Sequence, residues 1–157
     1  MSDRNRASHP IHPAIVHFPI ACWTLATIGD VAGIWLGRSV WQLSGLLLAA
    51  GTLFAIAAMI SGMIDLVKID EQNEGAQIAD IHMQLVFVTW TLYAVSLFMR
   101  VEKFRLTTPG FIAITLSCIG FAFLSAAGWF GGKLVYRYGI GQYGMDTKKN
   151  TDAAGAP

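Results

Sequence analysis

Three histidines and three prolines stand together where the first apolar stretch of the chain begins. The stretch reads His9-Pro10-Ile11-His12-Pro13-Ala14-Ile15-Val16-His17-Phe18-Pro19. Imidazole nitrogens are good ligands for haem iron and for transition metals. Ionisable groups at the border of a membrane segment indicate a functional site. A fourth histidine, His82, opens a later apolar stretch and could meet the first three.

The elements that must position these rings are membrane helices. Hydrophobic residues make up 54% of the 157 residues and charged residues only 13%, whereas about a quarter are charged in an average soluble protein. Four stretches approach or exceed the roughly 20 apolar residues that a spanning helix needs. We predict an all-α, four-transmembrane-helix bundle with both termini on the same side, in contact with the lipid bilayer.

The predicted boundaries follow from the same stretches. The polar N-terminal tail covers residues 1–11, the membrane domain residues 12–138 and a flexible C-terminal tail residues 139–157. The spans cover about 13–36, 40–67, 78–99 and 110–134. Pro19 removes a backbone hydrogen bond and should kink or unwind the first span. No internal repeat and no second domain is visible in the sequence.

Most of the polar residues belong to the end of the bundle that carries both termini. At about 1.5 Å per residue, His17 and His82 lie at similar depth from the starts of their helices. We therefore expect a polar cluster at this end, made of His12, His17, Asp65, His82 and Lys133, with Tyr136 beside it. At the opposite end, Asp30 is expected to pair with Arg38 at the interface, and residues 100–105 to form a basic loop.

Three functions remain open for the histidines. In the first, His17 and His82 are axial ligands of haem b between two helices, or the cluster contacts a quinone; His12, Gly128, Trp129 and Gly132 would line the cofactor site. In the second, the protein is a non-catalytic membrane subunit or scaffold, and the rings only hydrogen-bond between helices. In the third, His9, His12, His17, His82 and Asp65 bind a transition metal.

Two motifs resemble one known family. They are the stretch from His9 to Pro19 and the stretch Gly128-Trp129-Phe130-Gly131-Gly132-Lys133-Leu134-Val135-Tyr136. With four spans and a histidine at the start of the third, they resemble DUF2231, a family of bacterial inner-membrane proteins of unknown function. The resemblance covers roughly residues 9–141. The chain departs from it at Tyr138, where the family often has histidine.

The resemblance implies a redox setting. Relatives that are fused or adjacent to cytochrome c and Rieske-type domains imply a respiratory partner and an electron-transfer accessory role. No triad, paired acids or phosphate loop indicates an enzyme, and a net charge of +1 disfavours nucleic acid as a partner. The side of the membrane opposite the termini has four basic residues, Arg38, Arg100, Lys103 and Arg105, and the side that carries the termini has the other seven Lys and Arg. This distribution favours cytoplasmic termini.

Overall fold

Four long helices form the protein, and the computed structural model describes residues 11–67, 69 and 72–140. Helix α1 covers Ile11–Ile15, α2 His17–Leu36, α3 Arg38–Leu66, α4 Ala76–Phe98 and α5 Phe111–Tyr136. Strands β1 (Val101–Glu102) and β2 (Arg105–Leu106) form a short antiparallel hairpin between α4 and α5. The four spans, with α1 and α2 counted as one, are long and apolar enough to cross a membrane. The predicted fold class is confirmed.

The side chains are distributed as in a bundle that faces lipid. Large apolar side chains such as Trp35, Leu53 and Phe87 are exposed, whereas the buried positions are mainly alanine, glycine, serine and threonine. Small residues let helix backbones approach closely where the hydrophobic effect does not drive association. The core therefore consists of close helix contacts and hydroxyl hydrogen bonds around the ring pair of Trp23 and Tyr93.

The first span is interrupted at Val16. Pro19 has no N–H to donate to the carbonyl of Ile15, so the helical hydrogen-bond ladder is broken there. The ladder continues on both sides of the gap, from Val16 N to His12 O at 3.1 Å and from Ile20 N to Val16 O at 3.3 Å. The break separates the short helix α1 from α2 and lets α1 pack against α3 as well as against α2.

The bundle consists of two helical hairpins. The first comprises α1, α2 and α3, and the second α4 and α5; the helices pack more extensively within each hairpin than between the two. Three pairs of residues are each 70 residues apart in the sequence: His12 and His82, Trp23 and Tyr93, Asp30 and Arg100. The last two pairs are in contact and join the two hairpins. A constant spacing of this kind is typical of an internal repeat.

The Asp30–Arg100 pair joins the hairpins at the end opposite the termini. Arg100 Nη1 and Nη2 donate to Asp30 Oδ1 and Oδ2 at 2.7 and 2.8 Å, and both side chains are 0% exposed. Ser44 Oγ donates to Asp30 Oδ1 at 2.6 Å, and Ser96 and Ser117 accept hydrogen bonds from Arg100 Nη2. No buried side-chain nitrogen or oxygen in the described part of the chain lacks a partner.

This ion pair corrects two expectations. Asp30 does not pair with Arg38, which is exposed, and Arg100 does not belong to an exposed basic loop. Asp30 lies on the buried face of α2 with Trp23, Ala26, Thr27 and Gly33. A carboxylate inside a lipid-embedded bundle is costly without a charged partner, and Arg100 supplies the bidentate one.

The β1–β2 hairpin fixes the backbone of Arg100. Thr107 donates from its N–H and its Oγ1 to the Arg100 carbonyl at 2.8 and 3.1 Å. The two turn residues, Lys103 and Phe104, have φ values of 47° and 59°, which are uncommon for residues other than glycine. The chain thus turns sharply just beyond Arg100, whose side chain stays inside the bundle.

We expect Arg100→Met to lower the free energy of unfolding by about 3–5 kcal/mol, because it leaves the Asp30 carboxylate buried without a counter-ion. Arg105→Met is the matched control. It removes an exposed arginine from the adjacent strand and should change stability by about 0.5 kcal/mol or less. Denaturant or thermal unfolding in detergent measures both variants. Equal effects of the two substitutions would contradict a structural role for the ion pair.

Candidate functional site

His12 is held against α3 by its ring Nδ1. This nitrogen lies 2.9 Å from the carbonyl oxygen of Ala58 and 3.1 Å from Ser61 Oγ. A carbonyl oxygen only accepts hydrogen bonds, so Nδ1 carries the proton. Ser61 Oγ donates its own proton to Ala58 O at 2.9 Å and is therefore available to accept from the ring. The tautomer of a neutral His12 is thus set by α3.

His82 is held against α5 in the same way. Its Nδ1 lies 2.9 Å from the carbonyl oxygen of Ala127, so this nitrogen also carries the proton. Both rings are partly buried.

Each ring lies on a glycine one helical turn beyond the carbonyl that it contacts. A Cβ added to Gly62 would come within 2.8 Å of His12 Cε1, and one added to Gly131 within 3.1 Å of His82 Cε1. The two contacts are therefore built alike, as alanine carbonyl and glycine at positions i and i+4 of a helix. They are also spaced alike, with the histidine 46 or 45 residues before its alanine.

The other two residue pairs of the repeat indicate how His12 and His82 lie relative to each other. The rings of Trp23 and Tyr93 stack with their centroids 4.7 Å apart and an interplanar angle of 12°. Asp30 and Arg100 are in direct contact. Because equivalent residues meet at two levels of the bundle, we expect the third equivalent pair, His12 and His82, to face each other at the end that carries the termini.

The arrangement leaves one nitrogen of each ring available as a ligand. In a neutral imidazole with its proton on Nδ1, Nε2 has the free electron pair. No described residue makes a hydrogen bond to Nε2 of His12 or His82. Anchoring one ring nitrogen on a backbone carbonyl is the usual support for an imidazole that binds a metal through the other. Two such rings could together hold one iron-containing cofactor.

The structure does not place His17 with these two rings. His17 lies just after the break at Val16 and is exposed, and no residue in the described ranges hydrogen-bonds to it. Of the glycines predicted to line the cofactor site, a Cβ at Gly128 would meet nothing within 4 Å, and one at Gly132 only its own helix neighbour Tyr136, so neither packs against His12 or His82. Trp129 is 76% exposed.

The remaining members of the predicted polar cluster lie at the same end of the bundle but do not contact the two rings by any described hydrogen bond. Asp65 is exposed near the end of α3, and Tyr136 is 88% exposed at the end of α5. Lys133 Nζ lies over the ring of Phe130, 5.9 Å from its centroid. His9 lies outside the described residues.

A site with several side-chain ligands for a free metal ion is not present in the part of the chain that the structure describes. Nowhere in residues 11–67, 69 and 72–140 do three His, Cys, Asp or Glu side chains come close enough to hold an ion. Among the described members of the predicted transition-metal site, His12, His17, His82 and Asp65 form no such group, and its fifth member, His9, lies outside the described residues. A site with two protein ligands does not need such a cluster.

Sequence reasoning missed Gly62, and it considered Gly131 only as one of three glycines that leave room for a cofactor, with Gly128 and Gly132. The usable signal is the pattern Ala-x-x-x-Gly near the end of the second and of the fourth span, at Ala58 to Gly62 and at Ala127 to Gly131. Each follows a histidine at almost the same distance. The pattern becomes meaningful only when the two hairpins are compared with each other.

A comparison with protein families agrees with this structure. The family model described as "Predicted membrane protein (DUF2231)" matches residues 8–144. The chain belongs to the DUF2231 family. The matched range contains residues 9–19 and 128–136, and the predicted resemblance to the family is confirmed. No curated protein and no solved structure matches this DUF2231 protein.

Two glycine variants of the DUF2231 protein test the contact between His12 and α3. Alanine usually stabilises a helix relative to glycine by about 0.5–1 kcal/mol, and Gly128→Ala should do so because its Cβ enters open space. Gly62→Ala should instead lower the free energy of unfolding by about 1 kcal/mol, since the new Cβ displaces a hydrogen-bonded ring. Thermal unfolding in detergent compares the two. Equal stabilisation by both would contradict the described His12 contact.

Proposed function

We propose that this protein is a membrane electron-transfer protein that binds haem b through Nε2 of His12 and of His82. The observation that supports this function is that both rings are anchored alike through Nδ1, at the same end of the bundle and on opposite hairpins. Haem b bound there would supply one-electron redox chemistry.

The residues around the rings fit the roles that such a site requires. The carbonyls of Ala58 and Ala127 fix the tautomer and orientation of the ligands and raise their basicity. Gly62 and Gly131 let each ring lie flat on a neighbouring helix. The assignment replaces His17 by His12 as the first ligand, because the break at Val16 turns His12, and not His17, towards α3.

A second function is favoured by the same hydrogen bonds. Each histidine joins its own helix to a neighbouring one, α1 to α3 and α4 to α5, and interhelical hydrogen bonds of this kind stabilise membrane bundles. In this alternative, the protein is a scaffold or subunit that binds no cofactor. The two functions differ in whether Nε2 of both rings is occupied.

We further propose that the protein resides in a bacterial inner membrane with cytoplasmic termini. With Arg100 buried in an ion pair, Arg38, Lys103 and Arg105 are the basic residues left to face solvent or headgroups on the side opposite the termini. This lowers the count on that side and favours the proposed orientation. The resemblance implies a cytochrome c or Rieske-type protein as redox partner.

Single alanine variants of the three described histidines separate haem binding from a structural role. After expression with sufficient haem, the purified protein should show a Soret band. The band should be lost or strongly reduced in His12→Ala and in His82→Ala, and it should be retained in His17→Ala. Absorption spectra, normalised to folded protein by circular dichroism, measure this.

Two results would contradict the proposed function. One is a folded wild-type protein without a Soret band, which would favour the scaffold. The other is an equal loss of the band in His17→Ala, which would contradict the assignment of His12.

A further inference from the structure

A groove on the outside of the bundle lies between the two hairpins. It is formed by α3 and α4 and has a volume of about 450 Å³. Its lining consists of Met59, Met63, Met83, Gln84, Phe87 and Val88. Met83 directly follows the proposed ligand His82, and Met59 directly follows Ala58, whose carbonyl anchors His12. The groove therefore lies at a similar depth along α3 and α4 to the two-histidine site, which we define as His12 and His82.

Gln84 is the polar residue of this groove. It lies about 12 Å along α4 from Ala76, at 1.5 Å per residue, and its side chain is exposed. None of the residues that the structure describes hydrogen-bonds to its amide. An amide in hydrocarbon without a partner is costly. An occupant that accepts a hydrogen bond from Gln84 would remove this cost.

The rest of the lining suits a flat, apolar ring. Methionine side chains are flexible and their thioethers make favourable contacts with aromatic and similar rings. The Phe87 side chain is 61% exposed and available for contact with an occupant. The groove opens toward lipid, so a molecule with a long apolar tail could enter from the bilayer and leave its tail there.

We propose that this groove binds the headgroup of a lipid-soluble quinone. One ring carbonyl accepts a hydrogen bond from Gln84, the three methionines contact the ring, and the isoprenoid tail extends into the bilayer. The role of the bound quinone rests on the proposed electron-transfer function, because a mobile two-electron carrier would then bind near a one-electron site. The binding itself requires only the groove.

Two other occupants fit less well. Three thioethers also suit Cu(I), but the groove is far larger than an ion and Met63 is 55% exposed. A lipid acyl chain fills an apolar groove, but it leaves the Gln84 amide without a partner. The repeat offers no second copy of this site, because Ala14 occupies the position 70 residues before Gln84.

Photolabelling with a short-chain azidoquinone tests the proposal. The full-length protein, expressed with sufficient haem, purified and held in lipid nanodiscs, is labelled, and the modified peptide is identified by mass spectrometry. We expect the label within the groove, on residues 59–63 or 83–88, and competition by unlabelled short-chain ubiquinone. Gln84→Leu should weaken binding about tenfold, the value of one hydrogen bond in an apolar site.

The matched control is Gln42→Leu. Gln42 is an exposed glutamine of α3 near its other end, and its substitution should leave the affinity unchanged. Labelling outside the groove, or equal effects of the two substitutions, would overturn the proposal. The Soret band of the same samples separates this inference from the haem function. Labelling of the groove without a Soret band supports quinone binding and contradicts haem binding. A Soret band without labelling of the groove supports haem binding and contradicts quinone binding.

Discussion

The ion pair between Asp30 and Arg100 is the interaction on which the rest of the structure depends. A carboxylate or a guanidinium alone in a lipid-embedded bundle costs several kcal/mol. Asp30 belongs to the first hairpin and Arg100 to the second, so neither hairpin can bury its charged residue without the other. The bidentate geometry, completed by three serines, allows one relative register of the two hairpins. The charges thus specify the arrangement as well as stabilising it.

The register set by this pair determines which residues meet along the bundle. Moving from the ion pair towards the termini, Trp23 stacks on Tyr93, and the hydroxyl of Tyr93 lies 2.9 Å from that of Thr27. The next equivalent pair is His12 and His82. The interior at the opposite end is closed by charge and hydroxyl hydrogen bonds, whereas the end with the histidines has two imidazoles lying on glycines. A rigid, fully satisfied region therefore supports the region that is suited to binding.

Much of the fold could be predicted from the sequence, because spanning helices require long apolar runs and these are visible without any neighbours. The alternation of four spans also predicts that the histidines lie at the end of the bundle that carries both termini. The Asp30–Arg100 pair could not be predicted, since the two residues lie 70 positions apart and each resembles an interfacial charge on its own helix. The helical spacing of Trp23, Ala26, Thr27 and Asp30 on one face of α2 was the signal in the sequence that Asp30 faces inward.

The choice of His17 over His12 shows a second limit. It allowed for a kink at Pro19 but still used depth along the helix axis to decide which ring faces a neighbouring helix. Pro19 breaks the ladder at Ile15, and the short helix α1 then turns His12 onto α3. The internal repeat was not recognised in the sequence for a related reason. Of the three paired positions, only one has the same residue type in both hairpins, namely histidine. The second pairs a tryptophan with a tyrosine, and the third an aspartate with an arginine. At the second and third positions, the two hairpins have the same geometry but different residue types.

The most direct test of the two-histidine site is the near-infrared magnetic circular dichroism spectrum of the oxidised, purified protein, because it identifies the axial ligands of a ferric haem. A haem between His12 and His82 predicts the charge-transfer band of bis-imidazole coordination, and replacing either of these two residues should abolish it. A spectrum with only one imidazole ligand, or with a methionine or hydroxide as the second, would contradict the placement of His12 opposite His82.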